Sequence, residues 1–215
     1  MHQIINILQP NSTIFDIGAH IGDVSVPYVQ NNYSVIMVEP QHTHCFYLQQ
    51  KFGLNPNVKI INKGVADKPG MLQMNINSQA LYLSTFSTRW MTGRFKDSTW
   101  DQQINVEVTT LDQLIADYGD PAYVKIDVEG FEYQILLGLS KKTGIISFEF
   151  TVEFFDDATK CLDKLIDLGY TRFNYSIADQ ENFQLKDWHA RDQLISDLQE
   201  LFKNSGGMWG DIYAA

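Results

Sequence analysis

The sequence predicts a doubly wound α/β fold on a mainly parallel sheet. Short runs crowded with apolar and β-branched residues recur along the chain, amphipathic stripes of helical period lie between them, and the early runs end in glycine or a carboxylate. Strands alternating with helices require crossover connections, and right-handed crossovers lay helices on both sheet faces. The runs TIFDIG (13 to 18), SVIMVEP (34 to 40), VKIINKGV (58 to 65), AYVKIDV (122 to 128) and GIISFEF (144 to 150) read as buried strands. A helix is expected to begin near Gly22 or Asp23. Leu111, Leu114, Ile115 and Tyr118 form one stripe, entered through Thr110 and Gln113 as a capping box. Ala158, Cys161, Leu162, Leu165 and Ile166 form another, opened by Asp156 and Asp157 and stopped by Gly169. A third comprises Leu194, Ile195, Leu198, Leu201 and Phe202. Residues 68 to 110 break the rhythm: MLQMNIN and INVEVTT have period two and flank a polar, aromatic stretch from Ser84 to Gln103, which reads as a small insertion. With no repeat, low-complexity tract or linker, residues 1–215 are expected to form a single domain.

Composition narrows the function. A net charge of −10 repels a polyanion, so no nucleic-acid partner is expected. No apolar run approaches the roughly 20 residues that span a bilayer, and the N-terminus lacks the pattern of a signal peptide. The reading is a cytoplasmic protein with no membrane partner, its two cysteines, Cys45 and Cys161, reduced.

Ligands of open α/β sheets bind at the carboxyl ends of strands. The first strand ends in DIGAHIG, where Asp16, Gly18 and Gly22 give a tight turn that exposes backbone to a ligand. A dinucleotide fingerprint needs glycine at the position of His20, and no P-loop follows. The second strand ends in Glu39-Pro40, 17 residues beyond Gly22, a carboxylate able to accept from both hydroxyls of a ribose and to repel a 2′-phosphate. Together they suit a nucleoside ligand without polyphosphate.

Four segments carry a family resemblance: DIGAHIG at 16 to 22, VEP at 38 to 40, NKGVADKPG at 62 to 70 and, above all, KIDVEGFE at 125 to 132, with a weaker echo at Gly210-Asp211-Ile212-Tyr213. They resemble the FkbM-type methyltransferases, which have His20's position commonly filled by Asn. The resemblance implies a Rossmann-like methyltransferase fold, S-adenosylmethionine as cofactor, and methyl transfer to a hydroxyl of a sugar or other small-molecule acceptor. It assigns Asp16, Gly18 and Gly22 to the methionine portion, flanked by Ala19 and His20. Glu39, followed by Pro40, goes to the ribose, and the Gly64-Val65 region to the adenine edge.

A hydroxyl acceptor must lose a proton, so a general base is needed. Asp127, Glu129 and Glu149 are the candidates, each near the end of a central strand; the alternative roles are helix capping for the first two and a structural ion pair for Glu149. No metal site is expected, because His42 and His44 have no further close ligand and fall on a solvated helix start. Trp90, Arg94 and Trp100, within the Ser84–Gln103 stretch, are candidate acceptor contacts on a mobile cover, the alternative being a fixed satellite core. An NAD-dependent oxidoreductase and a non-catalytic binding protein of the same fold are the competing readings.

Overall fold

The computed structural model describes residues 3–178, 180, 182–203 and 208–215. The chain runs β1 (Thr13–Ile17), α1 (Val26–Gln30), β2 (Ser34–Val38), α2 (His42–Phe52), β3 (Val58–Ile61), β4 (Gly64–Val65), β5 (Gly70–Asn77), α3 (Arg89–Thr92) and β6 (Trp100–Thr109). It continues through α4 (Leu111–Tyr118), β7 (Tyr123–Ile126), α5 (Glu132–Leu137), β8 (Ile145–Thr151), α6 (Phe155–Asp167), β9 (Phe173–Tyr175), α7 (Arg191–Phe202) and β10 (Trp209–Ala214).

The main sheet has the order β3-β2-β1-β7-β8-β10-β9. All pairs from β3 to β8 are parallel, and β10 runs antiparallel to both β8 and β9. The order reverses direction between β1 and β7, the topological switch point at which such sheets leave a crevice. Each face carries an apolar layer. Phe15, Ile126, Phe148 and Leu162 belong to the layer under α4 to α7, whereas Ile14, Met37, Leu48 and Tyr123 belong to the one facing α1 and α2. The helix α4 is entered as its sequence requires, with Thr110 Oγ1 accepting from Gln113 N at 3.1 Å.

Two expected elements are corrected. The run 58 to 65 is not one strand: β3 stops at Ile61, and Gly64–Val65 leave to pair with β6 in a second sheet of order β4-β6-β5. The break is made by Asn62, whose Nδ2 donates to the carbonyls of Glu39 and Pro40 at 2.9 and 3.0 Å and so holds the chain at the end of β2. The first helix starts at Val26 rather than near Gly22, because the residues between form a turn and Pro27 occupies the first helical turn.

Candidate functional site

The turn after β1 is shaped by one glycine. Gly18 has φ +85°, and a Cβ on it would stand 1.9 Å from the carbonyl oxygen of Asp127. Only glycine lets this turn lie against the end of β7. His20 follows in the left-handed region at φ +49°, a conformation in which His is tolerated better than most residues. Its backbone N–H donates to Glu39 Oε2 at 2.9 Å, and the N–H of Gln41 donates to Oε1 at 2.8 Å. Glu39 is thus buried yet clamped by two amides, with a lone pair left free on Oε2. His44 stands behind it, Nδ1 3.4 Å from Oε1, with its ring edge-on to that of His20 at 4.2 Å. Burial and the neighbouring His44 pull the His20 imidazole below its ordinary range.

A cleft opens beside these groups, at the carboxyl ends of β1, β2 and β7. The structure brings Gly18, His20, Glu39, Pro40, Gly64, Val65, Asp127 and Glu129 to its wall. Asp16, Ala19 and Gly22 are not on it. Asp16 lies beneath the turn, accepting from Ser25 Oγ at 2.6 Å, and burial raises its pKa. Ala19 packs into the apolar layer with Tyr28, and Gly22 leaves room for Leu48 and Phe52. These three build the turn from behind.

The second feature is a group of acids. Oxygens of Asp127, Glu129 and Glu149 all lie within 4.8 Å of one another, close enough also to share a divalent ion. Glu129 sits at φ +60°, and burial, followed by the charges of Asp127 and Glu132, pushes its pKa up to about 8. Glu149 is likewise raised, by burial first and then by Asp127 and Glu129. Carboxylates this close retain a proton near neutral pH, so the group can exchange one with a ligand. Beside them Lys125 Nζ lies 2.8 Å from Asp127 Oδ2 and 3.7 Å from Asp211 Oδ1. Burial acts to lower its pKa, but Asp127 and Asp211 outweigh that and keep the ammonium charged.

The two alternative roles for these acids are not what the geometry gives. α5 has no side-chain cap from Asp127 or Glu129, and the turn before it is held by Glu132, whose Oε1 accepts from Gly130 N at 3.1 Å and Val128 N at 3.3 Å. Among the described residues Glu149 has neither an ion-pair partner nor a hydrogen-bond donor. Sequence reasoning missed Glu132, His44 and Lys125. His44 was expected on a solvated surface and is buried; Lys125 stands inside an otherwise apolar strand, a signal visible in the sequence.

The stretch expected as a cover meets the cavity wall at Ser84 and Phe86, while its basic and aromatic residues lie beside the wall. Trp90 is buried, its ring 4.3 Å from that of Phe154 and 5.0 Å from that of Phe95. Arg89 pairs with Asp156 at 2.9 Å and with Asp157, Arg94 pairs with Glu153, and Trp100 Nε1 donates to Phe95 O at 2.9 Å. Trp90, Arg94 and Trp100 are not on the cavity wall, although the Arg94 charge acts on Glu129, and Arg89 and Arg94 fasten the stretch to residues at the start of α6.

No helix among the described residues is long and apolar enough to cross a membrane. Comparison with known proteins gives a match of residues 16–191 to the methyltransferase FkbM domain. No curated protein sequence matches the chain. Among solved structures, the precorrin-6y C5,15-methyltransferase of Geobacter metallireducens is similar at 15% identity and TM-score 0.50, covering 97% of this chain and 81% of its own. The fibrillarin of Aeropyrum pernix, solved with natively bound S-adenosyl-L-methionine, aligns at 10% identity and TM-score 0.49 over 97% of this chain and 70% of its own. At such identities the first likeness speaks for the fold.

Proposed function

Because the chain belongs to the methyltransferase FkbM domain family, we propose that residues 1–215 work as one S-adenosylmethionine-dependent methyltransferase domain that methylates a hydroxyl of a small-molecule acceptor. The observation that carries this reading is that one cavity, at the switch point, joins the clamped carboxylate of Glu39 to Asp127 and Glu129. Glu39, fixed by two backbone amides, accepts from a ribose hydroxyl with the lone pair left on Oε2. Gly18 and His20 receive the methionine portion, and Gly64 and Val65 border the adenine. The fit is physical: the floor of the cleft is glycine where a Cβ would collide, and its one fully buried acid is already oriented.

When bound, the cofactor supplies an electrophilic methyl on a cationic sulfonium and departs as a neutral thioether. The chain's residues hold the acceptor hydroxyl in line and take its proton. Positioning alone can supply roughly 7–11 kcal/mol. Asp127 and Glu129, with Glu149 completing the group, accept the proton as the oxygen forms its new bond to carbon. A dinucleotide reading is disfavoured, because its pyrophosphate would have to press against the backbone where His20 stands, ring against His44. The experiment is incubation with methyl-labelled S-adenosylmethionine and a panel of polyols, phenols and amines. Label recovered in an ether supports the proposal; label only on nitrogen or carbon overturns the assignment of oxygen.

A further inference from the structure

The two central strands and β10 share an unusual pattern. In β7, Val124 and Ile126 are apolar on one face, while Tyr123, Lys125 and then Asp127 occupy the other. In β8 the second face carries Ser147, Glu149 and Thr151, and in β10 it carries Trp209, Asp211 and Tyr213. The ladders place these rows side by side: Lys125 pairs with Ser147, Glu149 with Asp211, and Ser147 with Tyr213. Strands buried between helix layers are ordinarily apolar on both faces. All residues of these rows except Ser147 and Thr151 line a cleft, with Trp209 and Gln180 at its edge.

This cleft meets the cofactor cavity at Asp127, which stands on the wall of both. Among the described residues its acids are Asp127, Asp211 and Glu149, of which the Asp127–Glu129–Glu149 group retains a proton, and its one base is Lys125, an ammonium already engaged by Asp127 and Asp211. The Glu149 carboxyl on its wall has no hydrogen-bond donor among the described residues. The half-buried indole of Trp209 offers a flat apolar side to a ring. An anionic occupant would be repelled, whereas an ammonium would balance the excess acid and hydroxyls would meet acceptors.

We propose that this cleft is the acceptor site, and that its occupant is an amine-bearing polyol, an amino sugar or aminocyclitol, with its ammonium toward Asp211 and Glu149 and the hydroxyl to be methylated toward Asp127. The inference rests on the methyltransferase reading above and deepens it, so the test separates the two. Binding of adenosylhomocysteine is measured first, on the wild type and on every variant; no binding to the wild type defeats the methyltransferase reading itself. With adenosylhomocysteine saturating, glucosamine, 2-deoxystreptamine, glucose and glucose 6-phosphate are then titrated by calorimetry. At least one amine is expected to bind ten-fold or more tighter than glucose, with glucose 6-phosphate weakest. Asp211→Asn is expected to erase that preference, and Gln180→Trp, at an exposed position on the rim, to weaken the amine at least ten-fold whether or not the first variant folds. The proposal is overturned if neither amine binds, if glucose 6-phosphate binds as well as they do, or if the amine binds a folded Gln180→Trp variant as it binds the wild type.

Discussion

Replacing Gly18 by alanine probes the turn on which the cofactor site stands. The change adds one carbon, but at φ +85° and 1.9 Å from the Asp127 carbonyl oxygen, more than 1 Å inside the 3.0 Å below which something must shift. Left-handed backbone costs a residue with a Cβ about 1–2 kcal/mol. Overpacking against backbone, which cannot rotate aside, adds about 1–3 kcal/mol. Gly169→Ala separates the two effects, since Gly169 closes α6 at φ +96° with nothing within 4 Å of the added carbon. At about 2–4 °C per kcal/mol for a domain of this size, Gly169→Ala is expected to lower the melting temperature by about 2–8 °C and Gly18→Ala by about 4–20 °C. Only Gly18→Ala moves the cavity wall, so only it is expected to weaken adenosylhomocysteine, by about ten-fold or more, a loss of about 1.4 kcal/mol. Differential scanning fluorimetry and calorimetry read the two quantities. Equal losses of stability in the two variants, or an unchanged affinity in Gly18→Ala, would refute the packing of this turn against β7.

With an acceptor in hand, Asp127→Asn or Glu129→Gln is expected to slow single-turnover methyl transfer by about 10²–10⁴-fold while keeping the fold; near-wild-type rates in both would remove them from the chemistry. Because Glu129 must be ionised to act and its pKa is pushed up to about 8, the wild-type rate is expected to rise about ten-fold per pH unit below 8 and level above it. A profile flat from pH 6 to 9 would oppose this. The same rate is expected to withstand EDTA; loss on chelation and rescue by Mg²⁺ would reassign the three acids to a metal. For stability the sign is set by Glu132, whose pKa burial raises to about 7 from 4.5: the folded state binds its proton more tightly. Stability conferred by that proton is therefore present below pH 4.5 and lost as pH rises to 7, about 3 kcal/mol at most, and Glu132→Gln is expected to flatten that decline in urea titrations. The stretch from Ser84 to Gln103 is expected to resist limited proteolysis with or without adenosylhomocysteine; cleavage that ligands suppress would restore a mobile cover.

Much of this architecture was legible because its causes are local. Apolar runs flanked by glycine or a carboxylate became β1, β2, β7 and β8, and the helical stripes became α4, α6 and α7, although Ile166 of the second stripe faces solvent. Gly18 and Glu39 could be read from spacing alone, since a tight turn and a strand-end acid leave their mark in sequence. What escaped depends on distant partners. Nothing in VKIINKGV shows that Asn62 will bond to the end of β2 and send Gly64 into another sheet. The helical pattern around His44 is too weak to say which side is buried, and its contact with Glu39 decides that. The anchoring of the basic and aromatic stretch was not legible, because Asp156 and Asp157 lie 67 and 68 residues further along the chain from Arg89. The polar rows of β7, β8 and β10 were each visible, but only the ladder registers align them.

The central claim is that this chain binds S-adenosylmethionine with Glu39 as its ribose anchor. Isothermal titration of adenosylhomocysteine and of NAD into the wild type and Glu39→Ala tests it most directly. Hydrogen bonds to a charged acceptor contribute about 1.5–3 kcal/mol each, so Glu39→Ala is expected to weaken adenosylhomocysteine by about ten-fold to several hundred-fold. NAD is expected to bind the wild type more weakly than adenosylhomocysteine does. Equal affinity of wild type and variant, or tighter binding of NAD, would contradict the claim.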